Sequence, residues 1–213
     1  MPHLSTSEAL RRRYATKVFD STKKISEKIF SEIIESLWLS PSSFGLQPWK
    51  FVIVKNPSIR RELVQHAWGQ KQVEEASHLI VLCSLTDITA DHIRKYIDDT
   101  AKVRAVSRET LNGFEGMMLK FISGLTREGR LQWMKDQVYI ALGFLMFETA
   151  MRGVDSCPME GFDAKKFDEV LKLEEKGIRS VVLCPVGYRS ASDKHAALAK
   201  VRFPKDKIFV TME

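Results

Sequence analysis

The 213-residue chain is 44% hydrophobic and 28% charged, which excludes a disordered segment and supplies enough apolar side chain for one substantial core. Its 33 Lys and Arg against 27 Asp and Glu leave a net charge of +6, and the cations are mixed with acids, a pattern that favours a small phosphate-bearing ligand over a duplex. Three cysteines without CxxC spacing and five histidines without an HExxH pair argue against a disulfide framework and against a metal site.

The first residues carry no apolar leader core, and even the run Val138 to Met151 is too short for a bilayer and contains Glu148. A cytoplasmic location with no membrane partner is expected. Arg11-Arg12-Arg13 lacks interleaved aromatics, so no nucleic-acid partner is expected either.

In chain order, Ser5 and Glu8 stand at capping-box spacing and predict a helix to about Arg13. Tyr14 to Asp20 reads as extended. Ser26 caps a second helix to about Leu39, with Ile29, Phe30, Ile33, Ile34 and Leu37 at helical spacing. The loop Ser40 to Trp49 follows, then a buried strand at Phe51 to Val54 that Asn56-Pro57 ends. A third helix covers Ser58 to His66, and Gln70 to Ala76 forms a polar bridge into the strand Leu79 to Leu85. From about 91 to 129 the chain reads as helical but weakly patterned, which fits either a lid or two ordinary surface helices.

Gln137 to Arg152 is apolar almost all round and predicts the central helix, capped by Gly153. After Pro158 to Asp163 a helix runs to about Leu173, followed by a strand at Ser180 to Gly187. The tail from His195 to Glu213 reads as extended, with a last strand at Ile208 to Met212. Without a repeat or linker, this order gives one α+β or α/β domain on a mixed sheet of four or so strands.

No GxGxxG follows a strand and no GxxxxGK[ST] occurs, so any phosphate must be held by side chains. Arg13, Lys200 and Arg202 suit that task, because residues two apart on an extended segment present their cations together. Ser42, Ser43, Gln47, Gln70 and Gln72 offer donors and acceptors for a planar heterocycle edge. Pro158-Met159-Glu160-Gly161 supplies a flat ring and a backbone open to close approach, or simply a tight turn before a helix. No Ser-His-Asp or Cys-His arrangement is visible, and Glu160 has no acidic partner, which points to chemistry carried by a cofactor.

Four segments, in this order, resemble the FMN-dependent nitroreductase family of NAD(P)H-driven flavoenzymes: Arg13-Tyr14-Ala15-Thr16-Lys17-Val18-Phe19-Asp20, Pro41-Ser42-Ser43-Phe44-Gly45-Leu46-Gln47-Pro48-Trp49, Cys157-Pro158-Met159-Glu160-Gly161-Phe162-Asp163, and Ala199-Lys200-Val201-Arg202. The likeness extends along nearly the whole chain. It implies an α+β nitroreductase-like fold, one flavin-binding domain over 1–213 with a mixed, mostly antiparallel sheet flanked by helices. The 91–129 excursion would lie over the pocket, and a C-terminal extension would embrace the partner in a homodimer.

The resemblance further implies FMN at the subunit interface, NADH or NADPH as donor, and small electron-poor acceptors such as nitroaromatics or quinones, served in turn by ping-pong hydride transfer. By matching position, Arg13, Lys200 and Arg202 would hold the FMN phosphate with Ala15 beside them. Lys17, near N1 and O2, and Gln72 would approach the pyrimidine edge, with Gln70 close by. Pro41, Ser42, Ser43 and Gln47 would reach across, the serines serving the partner's flavin. Pro158 would lie against the ring next to Met159, and the Glu160 and Gly161 N–H groups would face N5. No side chain is implied to be catalytic by itself.

Ala15 stands where relatives often carry Ser, and Gly45 where many carry Asn. Two other readings remain open at this point: the same flavoprotein with a dedicated acceptor (a dihydropteridine, an enone or free flavin), and a basic nucleotide- or nucleic-acid-binding protein using Arg11, Arg12, Arg13, Lys200 and Arg202.

Overall fold

The computed structural model describes residues 5–212; Glu213, the last residue of the predicted tail, lies outside them. Helix α1 (Thr6–Arg12) starts at the expected capping box, with Ser5 and Glu8 reciprocally hydrogen-bonded. The chain continues through α2 (Glu27–Trp38), β1 (Trp49–Val54), α3 (Pro57–His66), a short α4 (Gln72–Glu75), β2 (His78–Leu85), α5 (Ala90–Arg104), α6 (Asn112–Ser123), α7 (Arg127–Met151), β3 (Asp155–Ser156), α8 (Ala164–Leu171) and β4 (Ile178–Gly187).

The strands form one four-stranded sheet in the order β1-β2-β4-β3, antiparallel at every ladder. The parallel contribution is a single bridge between Ala15 and Ser156. Because side chains alternate along a strand, β2 feeds two cores. Leu79, Val81 and Cys83 face Leu63 of α3 and Phe167 of α8, whereas Ile80 and Leu82 face Ile33 and Leu37 of α2 and Val138, Ala141 and Leu145 of α7. Burial on both faces explains why β2 and β4 read as unbroken apolar runs. The three cysteines are buried and free.

The 91–129 excursion builds its own apolar cluster, in which Ile93, Ile97, Met118 and Ile122 pack with Leu46 and Met134. Three sequence expectations need correction. The polar bridge at 70–76 contains a helical turn with Gln72 and Val73 buried. The central helix begins at Arg127 behind a Thr126 cap, and in a single chain only one face is covered: Met134, Val138, Ala141, Leu145 and Thr149 are buried, while Ile140, Phe144 and Phe147 stay exposed. The final strand at 208–212 does not form. After Gly187 the described chain has a bridge from Arg189 to Phe19 and two 3-10 turns, and Leu198, Val201, Phe203, Phe209 and Val210 lie exposed, because their side chains pack on no core cluster of this chain.

Candidate cofactor site

Two buried carboxylates fasten the N-terminal segment to the C-terminal one. Asp193 accepts from the Tyr14 hydroxyl (2.8 Å), the Lys17 N–H (2.8 Å), the Val18 N–H (3.1 Å) and the His195 N–H (3.0 Å). Burial by itself would raise its pKa, but the Lys17, Tyr14, Val18 and His195 hydrogen bonds together hold it down to about 2. Asp155 binds the Arg189 guanidinium, which lies 4.6 Å from the Tyr14 ring centre. Burial next to Asp193 lifts the Tyr14 phenol to about 12.

On this base sits a cleft of about 600 Å³ lined by Arg11, Arg12, Arg13, Arg189, His195, Lys200 and Arg202 with Ala15, and by no carboxylate. The Lys200 ammonium donates to the Arg13 carbonyl. Burial, then the nearby Arg13 and Arg202 charges, push the Lys200 pKa below its ordinary value. Such a set of like charges is stabilised by an anion. Arg13 Nε is buried and, among the described residues, has no partner.

The Ala15–Ser156 bridge, with the Thr16 N–H on the Ser156 carbonyl (3.3 Å), sets this segment beside the chain leading to Pro158. There the backbone is clamped. Met159 exchanges both hydrogen bonds with Leu183 (2.8 and 3.0 Å), the Phe162 N–H returns to the Glu160 carbonyl (3.0 Å), and the Asp163 N–H reaches the His66 carbonyl (2.8 Å). Gln70 Nε2 donates to the Gly161 carbonyl (2.9 Å), and a Cβ at residue 161 would meet the Trp68 ring at 2.7 Å, so a larger residue there would displace that ring. Between these fixed neighbours the Glu160 and Gly161 N–H groups donate to nothing among the described residues.

The Pro41–Gln47 loop is built by a different device. Phe44, Gly45 and Gln47 all have positive φ (57°, 77° and 44°), held by Ser43 N–H on Gln137 Oε1 (2.8 Å) and Gln47 N–H on Ser42 Oγ (2.9 Å). The Tyr96 hydroxyl of α5 occupies the space a Cβ at residue 45 would need, and His92 Nε2 meets the Leu46 carbonyl (2.7 Å). Both the positive φ and the nearness of Tyr96 favour glycine at residue 45.

The structure thus gathers Arg13, Ala15, Lys200 and Arg202 in one cleft, and Gln70, Pro158, Glu160 and Gly161 along the adjoining loop. Lys17 is exposed next to them, its backbone held by Asp193. Met159 turns its side chain into the core, and Gln72 is buried in α4. Pro41, Ser42, Ser43 and Gln47 do not line the cationic cleft; Gln47 lies instead in a shallow depression with Trp38, Trp49 and Phe51. Sequence reasoning missed Asp193, Asp155, Arg189, Trp68, Tyr96 and Tyr139, which belong to no spacing motif of their own. No group of three His, Cys, Asp or Glu suited to a metal occurs among the described residues.

The sequence model of the Nitroreductase family matches residues 10–188. A Staphylococcus epidermidis protein named "Putative NAD(P)H nitroreductase" is 36% identical, over 97% of this chain and 96% of its own. Among solved structures, a Bacillus subtilis protein described as a "putative nitroreductase" superimposes with a TM-score of 0.86 at 19% identity, covering 97% of this chain and 98% of that one. A "putative nitroreductase in complex with FMN" from Exiguobacterium sibiricum gives 0.83 at 21% identity, with 98% of each chain covered. The chain belongs to the nitroreductase family.

Proposed function

We propose that this chain is an NAD(P)H-dependent FMN oxidoreductase that works as a homodimer and reduces electron-poor planar acceptors such as nitroaromatics and quinones. The observation that carries this reading is an acid-free cationic cleft joined through Ala15 and Ser156 to a clamped loop with two unspent N–H groups. A phosphate dianion suits the first and a heterocyclic nitrogen the second. The orphaned Arg13 Nε fits the same anion.

Bound FMN would accept two electrons as hydride from NADH or NADPH and pass them on. Arg13, Lys200 and Arg202 hold its phosphate, with Ala15 alongside. Lys17 would stabilise negative charge on the reduced pyrimidine edge, and Gln72 and the side-chain Oε1 of Gln70 would supply polar groups there. Pro158 lies against the ring, Met159 anchors that loop to β4 through its backbone, and the Glu160 and Gly161 N–H groups orient N5.

The separation of Pro41, Ser42, Ser43 and Gln47 from the cleft supports their serving a second copy. The bare apolar stripe of α7 and the exposed tail are suitable surfaces for that copy. Purified protein incubated with FMN should stay yellow after gel filtration and elute as a dimer, and anaerobic titration with NADH or NADPH should bleach it. Material that takes up no FMN would overturn the proposal.

A further inference from the structure

Trp68 breaks two placement rules at once. It is 75% exposed, the most exposed of the four tryptophans, and belongs to none of the three apolar clusters. Its φ is +54°, a left-handed backbone that bulky side chains avoid, and Gly69 follows at +73°. The turn is fixed all the same. The Ala67 and Gly69 N–H groups both donate to the Val64 carbonyl (3.1 and 3.0 Å), the Gln70 N–H donates to the Ala67 carbonyl (3.0 Å), and the Asp163 N–H reaches the His66 carbonyl (2.8 Å). Backbone strain held in this way collects at binding sites. The ring lies against the loop that carries the two unspent N–H groups. A Cβ at residue 161 would come within 2.7 and 2.9 Å of indole Cζ3 and Cε3 and within 3.2 Å of Gln70 Nε2, so the indole edge, the Gln70 amide and the Gly161 backbone are mutual neighbours. Gly161 supplies one of the N–H groups assigned to flavin N5, and an acceptor has to bring its reducible atom to N5. It then lies beside the indole.

We propose that Trp68 is an acceptor-specificity residue: its exposed indole stacks on the acceptor at N5 and so favours flat, electron-poor aromatic and quinonoid compounds over compact non-planar ones. The inference rests on the flavin reading above and names the device that selects its acceptors. The electron-rich face of an indole attracts an electron-poor ring beyond the area the two bury. A rigid turn presents that face without an ordering cost at each encounter. The phosphate cleft does not include Trp68, so FMN retention is independent of it.

The test compares FMN-loaded wild type, Trp68→Phe, which keeps a ring, and Trp68→Asn, which removes it and tolerates the left-handed backbone. Binding of 2-naphthoate, planar and redox-inert, is read from the visible band of the oxidised flavin, with cyclohexanecarboxylate as the non-planar control. Trp68→Asn should weaken 2-naphthoate about tenfold and Trp68→Phe by no more than about threefold, while cyclohexanecarboxylate stays within about twofold throughout. In turnover, kcat/KM for 1,4-naphthoquinone should fall about tenfold in Trp68→Asn, and kcat/KM for ferricyanide, which takes electrons without stacking, should stay within about twofold. Unchanged 2-naphthoate binding, an equal loss for both carboxylates or for both oxidants, or a Trp68→Asn protein that sheds its FMN overturns the inference. A wild type that takes up no FMN overturns the flavin reading instead, and that result is seen before any acceptor is added.

Discussion

At the residue scale, Asp193 is one of two buried carboxylates that join the N-terminal segment to the C-terminal one. Asp193 receives three backbone N–H groups and a phenol, and its folded pKa of about 2 lies below the ordinary 3.8. A depressed carboxylate stabilises the fold fully above its unfolded pKa and loses that contribution as pH falls through the folded value. Asp193→Asn should therefore cost about 2 kcal/mol of stability near neutral pH and progressively less between about pH 4 and pH 2. Urea unfolding at pH 7 and at pH 3 checks this; an equal gap at both would contradict it. Gly45 illustrates the opposite dependence, since its small size answers to Tyr96, a residue far along the chain.

Among the elements, α7 carries the largest mismatch between its surface and its surroundings. Ile140, Phe144 and Phe147 recur at helical spacing on its open face, and Gly143 lies among them with nothing within 4 Å of a would-be Cβ. An exposed glycine inside a 25-residue helix costs roughly 1 kcal/mol against alanine, which is offset if another backbone approaches there. On the homodimer proposal, Phe144→Glu places a charge in that contact. It should shift the protein to monomer in sedimentation and reduce bound FMN severalfold, with helical content by circular dichroism preserved. A variant that stays dimeric and yellow would remove α7 from the interface.

At the scale of the whole molecule, the cationic cleft exists only because residues 11–15, Arg189 and residues 195–202 converge. Each charge-assisted hydrogen bond contributes about 1.5–3 kcal/mol, so Lys200→Ala with Arg202→Ala should weaken FMN binding at least about a hundredfold. Both side chains lie outside the cores, so thermal unfolding without FMN should move by no more than about 2 °C. Unchanged flavin content after dialysis would contradict the phosphate assignment.

Periodicity and capping determined α1, α2 and α3, the apolar runs determined β1, β2 and β4, and the order of four motifs pointed to the family, because these signals depend on neighbours close in sequence. The all-round apolarity of α7 was legible but misleading: it reads the same whether the second face meets its own chain or another. The last strand failed for a related reason, since apolar residues at 208–212 mark a surface to be covered without saying by what. Only tertiary structure decided that Gly45 yields to Tyr96, that Asp193 ties Lys17 to the C-terminal segment, and that Tyr139 holds Glu160. Those contacts join positions separated by 21 to 176 residues, where one chain's sequence carries no spacing rule.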